Sequence, residues 1–401
     1  MKVVQINATC GVGSTGKICL GISELLNINR IENYILFSSM GNDYQLGIRC
    51  SSDRYIKLQA VKSRILGNYG FNSKKATRRI ISEIKRINPD IVHIHNIHGH
   101  DCDIEILFRY FKKTNTKLVW TFHDCWAFTA YCPHFTICGC EKWKTACRDC
   151  PQYKEYSLFF DRSKTLFEKK RELFNGLDLT IVTPSEWLRK IVLQSIFKDY
   201  PVKTINNGID TKVFRPTENS FREHYKIHAD KKIILGVAFS WDYKKGLDVF
   251  VELSKRLDKE KYAIVLVGAG YLNGNIPENI IAIPRTESRE KLAEIYTAAD
   301  VFVNPTREEV LGLVNIEANA CGTPVITFNT GGSPECINKK SGITVPCGDV
   351  DALQKSIEKI SFNGVIKSSD CIEKAAEFDK SKTYAEYVKL YEEIYDRTSK
   401  A

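Results

Sequence analysis

A pair of doubly wound α/β domains is the fold class this chain predicts. Strand-like and helix-like stretches alternate along most of its 401 residues. The alternation breaks once, at a turn-rich run from Asn206 to Asp210 followed by Phe214, Arg215 and Pro216, and then resumes. The length itself suits two to three domains. Rossmann-like domains of this kind bind ligands at the carboxyl ends of their strands, so two of them facing across a cleft would offer two ligand-binding rims.

The first series opens with a strand over Lys2 to Ala8, a Gly-rich turn and a helix over Lys17 to Leu26. NYILFSS (33–39), a helix ending near Arg86, DIVHIHN (90–96) and KLVWTFHD (117–124) carry it on to TIVTPS (180–185) and its helix. In the second series the strands are KKIILGVAF, YAIVLVGAG, NIIAIP, DVFVNP and PVITF, with amphipathic helices such as Arg289 to Ala299 between them. A charged amphipathic helix over Lys380 to Arg397 ends the chain. The expected divisions are 1–205, 206–379 and a terminal helix within 380–401.

A composition of 43% hydrophobic and 26% charged residues is that of a globular protein with ample core. No apolar run nears the roughly 20 residues of a spanning helix, and the first strand begins at Lys2 without a leader pattern, so the expected location is the cytosol. The net charge of +10 favours anionic partners, with clusters at Lys74, Lys75, Arg78, Arg79 and at Lys112, Lys113. Six of 14 cysteines fall between Cys125 and Cys150. In a reducing compartment such density points to metal before disulfides, and Cys132, Cys140, Cys147 and Cys150 are the expected ligands of a structural zinc, against a reading as free thiols. Nothing adjacent supplies the histidine pair of a catalytic zinc.

The richest stretch is DVFVNPTREEVLGLVNIEANACGTPVITFNTGGSPE, Asp300 to Glu335. It reads as a strand over Val301 to Pro305, a loop over Thr306 to Leu311 and a helix over Gly312 to Ala320. The free N–H groups and positive dipole end of that helix suit phosphate. Glu309 precedes the helix and Glu317 lies eight positions on, about two turns in. One carboxylate can therefore take hydroxyls beyond the phosphates and the other those on the nucleoside side, which is the layout of a nucleotide-sugar.

With Glu309 and Glu317 in an E-x7-E element, Gly312, CGTPVI (321–326) and TGGSPE (330–335), the chain resembles family 4 glycosyltransferases, retaining enzymes of the GT-B fold. The resemblance implies that Glu309 touches the donor sugar, that Glu317 holds the ribose, and that the backbone of Gly312, Leu313 and Val314 holds the diphosphate. It also matches Lys245 to the family's phosphate lysine, and His123 in TFHD to the histidine that hydrogen-bonds the sugar. His95 falls at a common position of the DIVHIHN strand, whereas His93, His98 and His100 read as structural. The family arginine after the first strand of the second domain is missing: Ser240 or Trp241 stands there, leaving Lys244, Arg285 or Arg307 to supply the charge.

The loop Gly11-Val12-Gly13-Ser14-Thr15-Gly16-Lys17 satisfies GxGxxG and falls one residue short of a P-loop. Ile18 stands where a P-loop needs Ser or Thr, and no acid ends the second strand. It resembles instead the family's first-domain turn, with Gly13 and Gly16 facing donor phosphate or acceptor. The expectation is a retaining hexosyltransferase with no metal essential for catalysis. It would move a sugar from a UDP- or GDP-linked donor to a lipid-linked oligosaccharide of surface-polysaccharide assembly, such as lipopolysaccharide O-antigen, and would associate peripherally with an anionic membrane. The rivals are an epimerase or phosphorylase of the same fold and a zinc-stapled nucleic-acid-binding protein. For the latter the basic residues lack the stripe with aromatic or recognition-helix companions that nucleic acid requires.

Overall fold

The structure, a computed structural model, describes residues 1–41, 44–272 and 276–399. It divides into unit 1, Met1–Asn206 with Thr383–Ala401, and unit 2, Asn207–Lys382.

Among its described residues unit 1 holds seven parallel strands: β1 (Lys2–Asn7), β2 (Glu32–Phe37), β3 (Gly47–Arg49), β4 (Ile91–Ile94), β5 (Leu118–Thr121), β6 (Leu179–Thr183) and β7 (Val202–Thr204). Their order is β3-β2-β1-β4-β5-β6-β7. The chain therefore reverses its winding between β1 and β4, which pair with Val3 beside Ile91 and Ile6 beside Ile94. In open α/β sheets such a reversal is where loops leaving adjacent strands diverge, and it is the usual place for a ligand. β4 and β5 are buried along their whole length, as strands covered by helices on both faces must be.

The terminal helix, Lys380–Ser399, supplies part of that cover. Tyr384, Tyr387, Leu390 and Tyr391 pack with Val3, Ile22, Ile91, Val119 and Val182 in one core cluster. The buried apolar residues Tyr384, Tyr387, Val388, Leu390, Tyr391 and Ile394 fall on one stripe at steps of three and four, and this spacing lets a charged sequence close a core.

Among its described residues unit 2 holds six parallel strands: β8 (Lys232–Val237), β9 (Tyr262–Val267), β10 (Ile280–Ile283), β11 (Val301–Asn304), β12 (Val325–Phe328) and β13 (Gly342–Val345). The order β10-β9-β8-β11-β12-β13 puts its winding reversal between β8 and β11. Separate core clusters lie on the two faces of this sheet, one containing Phe302, Ile316 and Tyr296, the other Phe250, Leu353 and Ile357. Three short strands that the sequence reading passed over, β3, β7 and β13, have three or four residues each and border their sheets.

Candidate functional site

In unit 2 the loops after β8 and β11, on either side of the winding reversal, are stapled together by backbone. Arg307 N–H donates to the Lys244 carbonyl at 2.8 Å, and Thr306 Oγ1 bonds the carbonyls of Lys244 and Glu308. Gly246, at φ 76°, lets the loops close: a Cβ there would stand 2.5 Å from the Pro305 carbonyl oxygen. The join brings Lys245 Nζ to 3.1 Å from Glu309 Oε2. The other carboxylate oxygen of Glu309 accepts from the Val310 N–H. From the opposite side Gly331, φ 58°, presses on Glu309 so closely that a Cβ would lie 1.6 Å from its carbonyl oxygen.

Beyond Glu309 the helix runs Leu313–Ala320, with Gly312 as its cap position and no side chain bonding its first turn. The Leu313 and Asn315 N–H groups donate to the Leu311 and Gly312 carbonyls at 2.9 Å, so an anion at this positive helix end would share or exchange the Leu313 bond. Asn315 locks this turn in place, accepting from Asn304 Nδ2 at 2.9 Å and donating toward the Ser333 carbonyl at 3.4 Å. The hydroxyls of Ser333 and Thr330, in the TGGSPE loop, are buried without a hydrogen-bond partner among the described residues. Ser333 Oγ lies 3.4 Å from the position a Cβ on Gly312 would take, so a donor hydroxyl adjoins the helix start. Glu317 is oriented by Tyr296, whose buried hydroxyl donates to Oε2 at 3.1 Å. Sequence reasoning named neither Ser333 nor Tyr296 for a role, although Ser333 lies within a quoted motif.

The three cations considered for the missing arginine have different surroundings. Arg307 is held by Asp248 through two bonds of 2.8 and 2.7 Å. Lys244 stands 3.5 Å from the buried Glu308 carboxylate. Arg285, arriving from the end of β10, lays its guanidinium 3.2 Å over the Phe239 ring and donates to the Phe239 carbonyl. Phe239 directly precedes Ser240 and Trp241, one of which stands where the resemblance expects an arginine.

In unit 1 the Gly-rich loop leaves β1. Gly13 begins the helix Gly13–Ile28, whose Val12 cap position makes no side-chain bond, and it adopts φ 70° with open space where a Cβ would be. Gly16 is a packing glycine, since a Cβ there would be 2.6 Å from Thr9 Oγ1.

The histidines cluster at the ends of β4 and β5. His95 is enclosed: its Nε2 lies 3.1 Å from Gln5 Oε1 and its Nδ1 3.0 Å from His123 Nε2. Burial drives the His95 and His93 rings well below the ordinary imidazole range. It also brings His123 down to about 4, despite the opposing pull of Asp124. His98 behaves oppositely: burial lowers it, but the Asp124 carboxylate at 2.7 Å raises it further, and Asp124 itself sits at about 2. His93 joins Thr121 and Tyr391 of the terminal helix.

Cys132, Cys140, Cys147 and Cys150 line a single void of about 20 Å³ with Phe135 and Trp143. Cys132 Sγ and Cys150 Sγ stand 3.8 Å apart. Beneath them Lys170, fully buried, donates to the carbonyls of Trp126 and Thr129. Among the described residues no three His, Cys, Asp or Glu side chains converge as a ligand set in the arrangement shown.

Comparison with known proteins matches residues 47–213 to the family described as Glycosyltransferase Family 4, and residues 218–378 to that described as Glycosyl transferases group 1. WcaC of Escherichia coli K12, named for colanic acid biosynthesis, is 26% identical over 76% of this chain and 77% of its own length. CapM of Staphylococcus aureus, a capsular polysaccharide biosynthesis glycosyltransferase, is 28% identical over 45% of this chain, which spans about half (50%) of CapM. Among solved structures, sucrose-phosphate synthase of Thermosynechococcus elongatus superposes with TM-score 0.73 at 17% identity, covering 99% of both chains. Anabaena HepE, solved with UDP-glucose, gives 0.67 at 13% identity over 98% of this chain and 100% of its own.

Proposed function

The chain belongs to glycosyltransferase family 4 and has the GT-B fold, and from that premise we propose that it is a retaining hexosyltransferase using a UDP- or GDP-linked donor. The observation that carries the reading is the Lys245–Glu309 pair set directly before a helix start. A lysine bridged to a carboxylate at 3.1 Å is poised to exchange that partner for a phosphate. Glu309 is then released toward sugar hydroxyls.

In this reading Lys245, the N–H groups of Gly312, Leu313 and Val314, and the hydroxyl of Ser333 hold the diphosphate. Arg285 takes the part of the absent arginine, because its guanidinium lies over the ring of Phe239, the residue before Ser240. Glu317, set by Tyr296, takes the ribose, and His123 takes a sugar hydroxyl. Spread over several donors, the charge of a departing nucleoside diphosphate is stabilised as the glycosidic bond opens. HepE was solved with UDP-glucose, and this favours a uridine donor among the alternatives.

The acceptor would be a lipid-linked oligosaccharide of surface-polysaccharide assembly, as the names of WcaC and CapM suggest. The enzyme would then work at the cytoplasmic face of a membrane. Among the described residues no helix is long and apolar enough to cross one. A surface suited to peripheral docking does exist. The helix Asp53–Leu66 buries Ile56, Gln59 and Ser63 but exposes Leu58, Val61, Ile65 and Leu66. Leu158, Phe159 and Phe160 are exposed beside it, tied to it where Leu158 N–H donates to the Arg64 carbonyl. Exposed Arg54, Lys57, Lys62, Arg64 and Arg162 flank this apolar surface. Apolar side chains ringed by cations suit an anionic bilayer surface. Of the cations first expected there, Arg79 is paired with Glu83, and Lys112 donates to a backbone carbonyl.

Calorimetry with UDP and GDP, alongside a transfer assay, tests the donor site. Glu309→Ala is expected to abolish transfer and leave nucleotide affinity within about twofold, whereas Glu317→Ala and Arg285→Ala should each weaken nucleotide binding about tenfold, or about 1.4 kcal/mol. Loss of nucleotide affinity in the Glu309 variant, with none in the other two, would sink the assignment.

A further inference from the structure

We propose that Gln5 fixes the tautomers of His95 and His123, so that His123 presents an unprotonated Nδ1 and accepts a hydrogen bond from a ligand hydroxyl. Gln5 is a positioning residue in this scheme: it is fully buried in β1 and acts only through His95.

The chain of constraints starts at a group with no freedom. The backbone carbonyl of Cys19 can only accept, and the Gln5 side-chain amide meets it at 3.0 Å. The Gln5 nitrogen must therefore face Cys19, since the flipped amide would oppose two oxygens at hydrogen-bond distance. That orientation directs Oε1 at His95 Nε2, 3.1 Å away. An amide oxygen can only accept, so His95 carries its proton on Nε2.

His95 is 1% exposed, and no carboxylate bonds it, so it has neither water nor a counter-charge to support a second proton. Its neighbours favour the neutral ring too: the tilted His93 ring lies 3.9 Å away between centroids, and a charge on either would repel the other. The neutral ring has a bare Nδ1, which stands 3.0 Å from His123 Nε2. Two lone pairs cannot face each other there, so His123 supplies the hydrogen from Nε2. A neutral His123 then has its lone pair on Nδ1.

His123 follows β5 at the carboxyl end of the first sheet and is only partly buried. Its neighbour Asp124 is occupied by His98 and by the Trp126 N–H, and His123 Nδ1 bonds to no described residue. The ring thus offers a directed acceptor to whatever enters. A hydroxyl satisfies it; a phosphate oxygen or a carboxylate meets it lone pair to lone pair. The identity of that hydroxyl as one on the donor sugar rests on the proposed function, while the tautomer does not.

The experiment reads the imidazole nitrogens directly, by two-bond 1H–15N correlation on histidine-labelled, ligand-free protein at pH 7.5. His95 and His123 are each expected to show one protonated nitrogen, Nε2, with a deshielded Nδ1. In Gln5→Leu, His95 loses its fixed acceptor, so His123 should move to a mixture of tautomers and transfer should fall about tenfold while the fold is retained. Protonated Nδ1 on His123 in the natural protein overturns the inference without recourse to any variant. So does a His123 pattern in folded Gln5→Leu identical to that of the natural protein. If His123→Ala transferred at full rate, the proposed role in donor binding would fail, and the nitrogen spectrum would still decide the tautomer.

Discussion

At the scale of single residues, the groups that matter most are set by partners far away in sequence. Tyr296, 21 positions before Glu317, holds that carboxylate with a hydroxyl that burial keeps protonated. Tyr296→Phe removes one donor and no packing. UDP affinity measured by calorimetry is expected to fall about three- to tenfold, in keeping with a hydrogen bond worth roughly 1 kcal/mol; an unchanged affinity would exclude Glu317 from the nucleotide site. Asp101 is the converse, a carboxyl at odds with its surroundings. It is 3% exposed, one of its oxygens accepts from Ser39 Oγ, and the other has no hydrogen-bond partner among the described residues. Burial pushes it up to about 6 from an ordinary 3.8, against the lowering influence of Ser39 and His98. A raised carboxyl binds its proton more readily in the folded chain. Its contribution to stability is therefore present below pH 3.8 and lost as the pH rises through about 6. Asp101→Asn is expected to add about 1–3 kcal/mol at pH 8 and little or nothing at pH 4. Urea unfolding at the two pH values checks this, and an equal effect at both would refute it.

At the scale of elements, the loop from Cys132 to Cys150 has little regular structure of its own. It contains one single-turn 3-10 segment, Lys142–Lys144, and its interior is a void lined by four thiols. The 3.8 Å separation of Cys132 and Cys150 matches the edge of a tetrahedron of thiolates about 2.3 Å from a zinc ion. Lys170 lies buried alongside, strongly lowered by burial and drawn back up by Cys147 and Asp124. A dianionic zinc tetrathiolate would offset such a lysine. Protein prepared without chelator is expected to contain about one zinc per chain, and Cys147→Ser to lose both the metal and several degrees of Tm. Elemental analysis finding no zinc would leave the loop as packed thiols, with Cys140 and Cys147 not turned toward the pair.

At the scale of the whole molecule, unit 1 is closed by distant chain, whereas unit 2 is one continuous stretch. Unit 1 completes its core with residues beyond Thr383, so the chain leaves it at Asn206 and returns only after unit 2 is made. The apolar surface of Leu58, Val61, Phe159 and Phe160 lies wholly in unit 1. Each nearby cation can contribute about 1 kcal/mol at an anionic surface. Co-sedimentation is therefore expected with vesicles containing phosphatidylglycerol and not with pure phosphatidylcholine, reversed by raised salt, and reduced more by Phe159→Ser with Phe160→Ser than by neutralising Lys74 and Lys75. Equal sedimentation with both vesicle types would rule out electrostatic docking, and a larger effect of the Lys74 and Lys75 changes would move the surface to that helix.

Local order of residues was enough to determine much of this protein. The strands over 301–304 and 325–328, the helix start at Gly312 and the spacing of Glu309 from Glu317 are written in periodicity and in glycine placement. What only the tertiary structure decided are the pairings across sequence. Examples are Lys245 with Glu309 over 64 positions, His95 with Gln5 over 90, and His93 with Tyr391 over 298. The same holds for Arg285 laid over Phe239 from the end of β10, and for a helix, Asp53–Leu66, that buries Ile56 but turns Leu58, Val61, Ile65 and Leu66 outward. The physical reason is that backbone preference acts over a few residues, whereas the protonation and partners of a buried group depend on which strands the winding order makes neighbours.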